Sequence, residues 1–232
     1  MNDHTARIAT AITEAARTMH TPRTLEETLD SIVKATLQTV PGFNHVGISI
    51  THRNGELETM AGTDQLVWEL DEIQYSLQEG PCYDSIRGSK VTAVEHASND
   101  QRWPNYMPQA VEKGLRAQLA VGLFSEEGTL GGLNLYSTES GTIEDDAVEI
   151  AELFATHAAI ALGRSRIEGQ LNDAIASRKV IGQAIGILMG QYQIDEDRAF
   201  QFMIRASSTG NIKLRTVAEE LVSTTNERFQ QS

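Results

Sequence analysis

A seven-residue repeat of apolar residues in the second half of the chain constrains its fold more than any other feature. The repeat consists of Leu153, Ile160, Ile167, Ala174, Ile181 and Leu188. Apolar residues at this interval form the seam of a coiled coil, so the pattern predicts one long helix over about residues 145–190. Half of the companion positions are polar, and Gly163 and Gly169 each weaken a continuous helix by about 1 kcal/mol.

Two interpretations of this stripe remain open. The stripe packs within its own chain, or it joins two copies in a parallel homodimer. We favour the homodimer, because the stripe continues through a boundary in charge near residue 164 instead of stopping there.

The charge boundary changes what the composition implies. The chain has 232 residues and a net charge of -13, which by itself argues against a nucleic-acid binder, because such proteins usually present a basic surface. Residues 1–164, however, contain 24 of the 32 acidic and 11 of the 19 basic residues, whereas residues 165–232 contain 8 of each. The acidic excess belongs to the first part alone, and this asymmetry predicts two modules with different partners.

The first module is predicted to be an α+β domain with an antiparallel sheet flanked by helices. A helix is expected over residues 3–19, and a second begins at a Thr24 cap with Glu27 as its capping-box partner. Two hairpins follow, the first with a two-residue turn at Asn54-Gly55 and the second turning at Glu127-Gly128. The order of helices, strands and a closing helix is typical of an α+β fold.

The second module is predicted to be entirely helical. After the long helix, Asp195 is a favourable N-cap for a second helix, which ends near Gly210-Asn211. A third helix carries apolar residues at helical spacing from Leu214 to Val222. Three short helices give a compact bundle without space for a large pocket.

Motifs of the common enzymes and metal sites are missing from the sequence. There is no G-x-S-x-G elbow, no H-E-x-x-H, no phosphate loop and no cysteine pair, and the six histidines lack metal-ligand spacing. We therefore expect no enzyme activity, no catalytic residue, no metal and no cofactor. Without an apolar run of membrane-spanning length, and with one cysteine, the chain is expected to be cytoplasmic and to have no membrane partner.

Candidates for a ligand pocket lie in the first module. Cys82 follows a Gly80-Pro81 turn, and a thiol at a helix N-terminus can have a lowered pKa that suits oxidant sensing or cofactor attachment. The favoured alternative is a small buried residue. The aromatic candidates either line a pocket or belong to the core, which is the commoner place for large aromatic side chains. The pocket candidates are Trp68, Tyr75, Cys82, Tyr83 and Trp103.

The C-terminal stretch resembles an ANTAR domain, the RNA-binding antiterminator module of bacterial regulators. The matching residues, spread over about 55 residues, are Ser177-Arg178, Ile181, Gln183-Ala184, Gly186-Ile187-Leu188-Met189, Ala199-Phe200, Ser207-Ser208, Asn211, Lys213-Leu214 and Val217-Ala218. One departure is Ile185, where the family often carries Lys or another polar residue; this predicts that one phosphate contact is missing.

The preceding region, over roughly residues 22–163, resembles a GAF domain, a sensory α+β fold. The resemblance depends on the order of helix, hairpin, Gly80-Pro81-Cys82 turn, hairpin and closing helix. Together the two parts are similar to the GAF–ANTAR transcription antitermination regulators of actinobacteria. This implies an N-terminal segment over residues 1–21, a GAF-like sensor over 22–163 and an ANTAR domain over 164–232, which binds paired hairpins of nascent mRNA when a small molecule or protein signals to the sensor.

Basic and polar side chains of the second module are the candidates for RNA contact. They are Arg178, Lys179, Gln183, Ser207, Ser208, Asn211, Lys213 and Arg215. Such groups can meet phosphates and 2′-hydroxyls, and no aromatic stacking pair is expected beside them, which favours recognition of hairpin shape and loop. One alternative is that Arg178 and Arg215 only balance Glu219 and Glu220 on a solvated face. Another is a small-molecule sensor that acts through protein contacts without RNA. A GAF-type enzyme such as a sulfoxide reductase normally needs several cysteines, whereas this chain has only Cys82.

Overall fold

The computed structural model describes residues 9, 10, 13, 24–126 and 128–230, the side chains of 228–230 excepted. It divides into two compact units, Met1–Ser165 and Arg166–Ser232, which we describe separately. Apart from residues 9, 10 and 13, the predicted N-terminal helix over residues 3–19 lies outside the described part of the chain.

The first unit is an α+β domain built on one five-stranded antiparallel sheet, which confirms the predicted fold class. Its strands follow the order β2-β1-β5-β4-β3. The strands are β1 (His45–Thr51), β2 (Leu57–Gly62), β3 (Val91–Val94), β4 (Ala117–Ser125) and β5 (Gly128–Ser137). The helices are α1 (Leu25–Thr39), α2 (Gln65–Leu77), α3 (Pro81–Arg87), α4 (Tyr106–Glu112) and the first part of α5 (Ala147–Tyr192).

Local sequence signals account for several of these boundaries. The Thr24 hydroxyl accepts a hydrogen bond from the Glu27 N–H, and the Glu27 carboxylate accepts one from the Thr24 N–H, which confirms the capping box at the start of α1. The first hairpin differs from its prediction. The His52 N–H donates to the Glu56 carbonyl over 2.8 Å, so the loop has three residues and not two. Gly55 adopts φ +86°, as the last residue of such a loop requires.

Pairing of β1 with β5 joins the two hairpins into one sheet. The register places Ile48 opposite Leu133 and Ile50 opposite Gly131. A Cβ at Gly131 would lie 1.9 Å from the Ser49 carbonyl oxygen, so only glycine fits this position. Gly131 thus permits the close approach of β1 and β5. In the second hairpin, formed by β4 and β5, the register shifts between Leu123 and Phe124.

The sheet separates two buried layers because strand side chains alternate between its faces. One layer contains the larger apolar core, in which Leu133 and Leu135 of β5 pack with residues of α1 and α5 such as Ile32 and Phe154. The opposite face turns Gln118, Asn134 and Tyr136 toward α2, α3 and α4, and all three are fully buried.

The second unit is a helical bundle formed by the last part of α5 with α6 (Glu196–Gly210) and α7 (Leu214–Gln230). Its core consists of Ala184, Leu188, Ala199, Met203 and Ala218. The Asp195 carboxylate accepts a hydrogen bond from the Arg198 N–H at 2.8 Å, which confirms the predicted N-cap of α6.

The seven-residue stripe of α5 has three different environments. The helix continues through Gly163 and Gly169 over 46 residues. At its start Leu153 packs in the first unit's core, and at its end Ile181 and Leu188 pack in the bundle core, so at both ends the stripe packs within its own chain. Between them the apolar side chains are exposed: Ile160 by 52%, Ile167 by 65%, Leu171 by 59% and Ile175 by 57%. Only this middle part is free for a second copy, and the homodimer stays a prediction.

Candidate sensor and RNA-binding sites

A cluster of polar side chains fills the space between the sheet and helices α2 to α4, and we call it the polar cluster. It consists of Ser49, Thr59, Asp71, Gln74, Tyr75, Cys82, Tyr106, Gln118, Asn134 and Tyr136. All but Thr59 and Tyr75 are fully buried. Burial of so many polar groups is tolerated only when they hydrogen-bond to one another.

Asp71 of α2 lies at the centre of the polar cluster. One carboxylate oxygen accepts hydrogen bonds from the Tyr136 hydroxyl and from Asn134 Nδ2, the latter over 3.1 Å, and the other accepts from Thr59 Oγ1 over 2.7 Å. Burial raises the pKa of Asp71 to about 6, although hydrogen bonds from Thr59 and Tyr136 act in the opposite direction. Asp71 therefore titrates close to neutral pH inside the domain.

Gln74 connects the cluster to the start of α3. Its Nε2 donates to the Tyr136 hydroxyl over 3.1 Å, and its Oε1 accepts from the Cys82 N–H over 3.0 Å. Gly80, at φ +126°, leaves space for this amide, because a Cβ there would lie 2.4 Å from Gln74 Oε1. The conformation of the Gly80-Pro81-Cys82 turn therefore depends on its contact with the Gln74 side chain, and no local sequence signal predicts this contact.

Cys82 is buried, as the favoured interpretation of this residue expects. Its Sγ lies 3.1 Å from Asn134 Nδ2 and 3.8 Å from Ser49 Oγ. Burial, with a further contribution from the nearby Asp71 charge, raises the pKa of Cys82 to about 12. The alternative of a lowered thiol pKa is wrong, because desolvation dominates at this position.

The five pocket candidates do not line one common pocket. Tyr75 and Cys82 meet in the polar cluster, where the Tyr75 hydroxyl donates to Ser49 Oγ over 2.5 Å. Trp68 is 39% exposed. The Arg87 guanidinium lies over the Tyr83 ring, with 4.4 Å between Arg87 Cζ and the ring centroid. Trp103 is buried in an apolar core together with Tyr106 and Tyr136, and its indole N–H donates to the Asp84 carboxylate over 3.1 Å.

The central residues of the cluster escaped sequence reasoning. Asp71 and Gln74 lie on α2, and Asn134 alternates with leucines on β5, a pattern that usually places polar groups in solvent. Asn134 is fully buried, and its Oδ1 has no hydrogen-bond partner among the described residues. Within the polar cluster it is the one fully buried side-chain oxygen that has no hydrogen-bond partner among the described residues.

Three cations of the bundle that are candidates for RNA contact have exposed side chains. Arg178 and Lys179 are exposed on α5, with Gln183 one turn further along, and Lys213 is exposed just before α7. Within the described residues Arg178, Lys179 and Lys213 have no ion-pair partner. The alternative of a cation that balances Glu219 therefore does not apply to Arg178.

Arg215 has acidic neighbours instead. Its guanidinium lies 2.7 Å from Glu219 and 3.6 Å from Asp173, and its side chain is 42% exposed. For Arg215 the structure agrees with the alternative in which the cation balances nearby carboxylates on a solvated face. An exposed pair of this kind contributes little to stability because water screens the two charges, so the pairing leaves Arg215 able to exchange its partner.

Ser207 and Asn211 shape the turn between α6 and α7, and Ser208 is exposed beside them. The Ser207 hydroxyl donates to the Ile212 carbonyl over 2.6 Å, while its own carbonyl accepts from the N–H groups of Asn211 and Ile212. Asn211 adopts φ +50°, the left-handed conformation that ends α6. The Ser207 hydroxyl and the Asn211 backbone thus hold the turn that leads to Lys213.

Two further features of the bundle are the packing of Ile185 and an exposed pair of aromatic side chains. Ile185, where the family often has a polar residue, is half-buried against the bundle core, so its apolar side chain contributes to packing. Tyr192 and Phe202 form an exposed aromatic pair, with ring centroids 6.0 Å apart and an interplanar angle of 31°. Sequence reasoning missed this pair because ten positions and a helix end separate the two residues.

Comparison with known families matches both units. Residues 22–163 match the GAF domain family and residues 169–222 match the ANTAR domain family. The chain belongs to the GAF–ANTAR regulators. In this protein the polar cluster lies within the GAF domain, and the exposed cations lie within the ANTAR domain. Both families are regulatory.

Solved structures share the GAF fold at low sequence identity. The GAF domain of a phosphoenolpyruvate-protein phosphotransferase from Coxiella burnetii aligns with a TM-score of 0.60 at 16% identity, covering 73% of this chain and 99% of that one. The corresponding domain from Acinetobacter gives 0.56 at 13%, covering 73% and 99%. A free methionine-R-sulfoxide reductase from Neisseria meningitidis gives 0.56 at 14%, covering 72% and 95%. No curated protein sequence matches the chain.

Neither a cluster of metal-binding residues nor a membrane-spanning helix occurs in the part of the chain that the structure describes. No group of three or more His, Cys, Asp or Glu residues is arranged there to hold a metal ion. Among the described helices, none is long and apolar enough to cross a membrane.

Proposed function

We propose that this GAF–ANTAR regulator binds paired hairpins in nascent mRNA through its ANTAR domain and so prevents transcription termination. The observation that carries the proposal is the exposure of Arg178, Lys179 and Lys213 without ion-pair partners among the described residues. Such cations are available to phosphates, whose neutralisation releases counterions and supplies much of the affinity for RNA. Because bacterial transcripts are made in the cytoplasm, we place the protein there.

The GAF domain is proposed to control this binding by sensing a small molecule or a partner protein. A ligand shifts an equilibrium only when its affinity differs between the two states. The polar cluster is the site we assign to such a small molecule, since Asn134 Oδ1 offers an unused acceptor there. The cluster contains Asp71 but no Lys, Arg or His, so we expect a neutral or cationic ligand with a hydrogen-bond donor and not an anion.

A homodimer is proposed to present two ANTAR domains to two hairpins. The surface that would be shared is the exposed middle of α5, which contains Ile160 and Ile167 of the stripe and the neighbouring Leu171 and Ile175. Joined sites raise overall affinity through effective concentration, without any additional contact to either hairpin. A bundle with 8 acidic and 8 basic residues is expected to need this gain.

The RNA proposal is tested with the full chain and an RNA of two adjacent hexaloop hairpins. Fluorescence anisotropy over a series of salt concentrations gives the affinity and its salt dependence. Lys213→Ala combined with Arg215→Ala should lower the affinity and flatten the salt dependence, by a slope of about 1 for each phosphate that is no longer neutralised. Lys34→Ala, which removes an exposed cation of the GAF domain paired with Asp30, should leave both quantities unchanged.

Two outcomes would contradict the RNA proposal. If the double variant binds with unchanged affinity and salt slope, the assigned surface is wrong. If the unmodified protein binds no hairpin RNA, the competing function gains support, namely signalling through protein contacts alone. The pairing of Arg215 with Glu219 and Asp173 is the observation that favours this second function.

A further inference from the structure

The exposed aromatic pair of the ANTAR domain has no role in the function proposed so far. Tyr192, the last residue of α5, is 54% exposed, and Phe202 of α6 is 53% exposed. Their ring centroids lie 6.0 Å apart. Two large aromatic side chains left together in water cost hydrophobic free energy, and an exposed apolar patch of this kind commonly marks a binding surface.

A cleft of about 230 Å³ adjoins the pair. Its lining combines apolar side chains, among them Leu188, Met203 and Leu221, with the amide of Gln191 and the hydroxyl groups of Thr224 and Thr225. A flat heterocycle with apolar faces and a polar edge matches this arrangement, since its faces stack on rings while its edge forms hydrogen bonds.

The charge around the pair distinguishes between possible partners. Arg198, Phe202, Arg205 and Thr209 are four, three and four positions apart, so they lie along one flank of α6, and all are exposed. Arg205 has no ion-pair partner among the described residues, and Arg198 has only a 3.6 Å contact with Asp195. Cations lie one turn to either side of the Phe202 ring. This arrangement suits single-stranded RNA, whose phosphates pair with cations and whose bases stack on aromatic rings.

We propose that Tyr192 and Phe202 form a stacking platform for an unpaired base of the bound RNA. The base stacks on the exposed ring faces and directs its edge into the neighbouring cleft, while Arg198 and Arg205 meet the phosphates on either side. Along the flank of α6, Arg205 and Thr209 then lead toward the turn that carries Lys213. This assignment rests on the proposed RNA-binding function and adds base contact to a surface otherwise defined by phosphate contact.

The test uses the full chain and the double-hairpin RNA with 2-aminopurine at one unpaired loop position at a time. Phe202→Leu and Tyr192→Leu keep apolar volume but remove a ring. Each should weaken binding about 5- to 150-fold, the range for removal of one base–aromatic stack, and should abolish the 2-aminopurine fluorescence change at one loop position. Tyr192→Phe keeps the ring and should bind like the unmodified protein. Phe200→Leu is the matched control, because Phe200 is 37% exposed on a different flank of α6.

A second RNA, in which an ethylene glycol spacer replaces the loop bases, separates stacking from folding effects. The unmodified protein should bind it as weakly as Phe202→Leu binds the natural loop, and Phe202→Leu should lose no further affinity. If the unmodified protein binds the hairpins but both leucine variants match it, the platform is refuted and the pair is left for a protein partner. If the unmodified protein binds no hairpin at all, the RNA-binding function itself fails.

Discussion

Ionisation of Asp71 should set the pH dependence of GAF-domain stability. Burial raises the pKa of this carboxyl from 3.8 to about 6 in the folded state. The two values differ by about two, which corresponds to about 3 kcal/mol at 25 °C. Because the folded pKa is the higher one, the folded state binds the proton more tightly. This stabilising contribution is complete below pH 3.8 and is lost as the pH rises through 6.

Asp71→Asn removes the titration while nearly preserving the shape of the side chain. The stability of the unmodified protein relative to this variant should therefore fall by about 2 to 3 kcal/mol between pH 4 and pH 7. Urea unfolding followed by tryptophan fluorescence measures this difference. Both tryptophans, Trp68 and Trp103, lie in the first unit, so the signal reports on the GAF domain alone.

Asp64→Asn provides a control of opposite sign. Burial opposes ionisation of Asp64, but hydrogen bonds from His45, Thr63 and the Leu66 N–H outweigh it and lower the pKa of this carboxyl. The advantage of the unmodified protein over Asp64→Asn should therefore grow as the pH rises from acid to neutral.

Parallel stability curves for the unmodified protein and Asp71→Asn from pH 4 to pH 7 would refute the placement of a titrating carboxyl in the polar cluster.

Three further predictions test separate parts of the structure, namely Gly131, Cys82 and the middle of α5. Gly131→Ala places a methyl group 1.9 Å from the Ser49 carbonyl, so the GAF domain should lose several kcal/mol in urea unfolding, or fail to fold; near-normal stability would show that β1 and β5 do not approach this closely. The Cys82 thiol is fully buried with its pKa raised to about 12, so it should react with Ellman's reagent at pH 8 only after denaturation, and Cys82→Ser should fold normally. Ile167→Glu with Leu171→Glu places charges at two exposed apolar positions in the middle of α5 and should convert a dimer to a monomer in sedimentation. An unmodified protein that sediments as a monomer at micromolar concentration would rule out the dimer.

The sites show where sequence reasoning reaches its limit. Arg178, Lys179 and Lys213 were predictable as exposed cations because a charged side chain in a short helical bundle almost always faces water. That Arg215 pairs with Asp173, 42 positions away in the chain, depends on how α7 lies against α5. The aromatic pair Tyr192–Phe202 depends in the same way on the packing of two helices.

The sequence by itself determined features that arise from near neighbours. The capping box at Thr24, the N-cap at Asp195 and the long helix of the seven-residue stripe all follow from residues within one or two turns. The order of GAF-like and ANTAR-like modules and the charge boundary between them were likewise legible, because each is a property of contiguous sequence.

Only the tertiary structure decided which parts of those patterns face a core, a ligand or solvent. Asp71 meets Asn134, 63 positions away, because β1 pairs with β5 and α2 lies on one face of the sheet. The same packing buries both ends of the α5 stripe and leaves its middle exposed. Periodicity gives the face on which a side chain lies, but the surface that this face meets is fixed by contacts between distant segments, which no local pattern encodes.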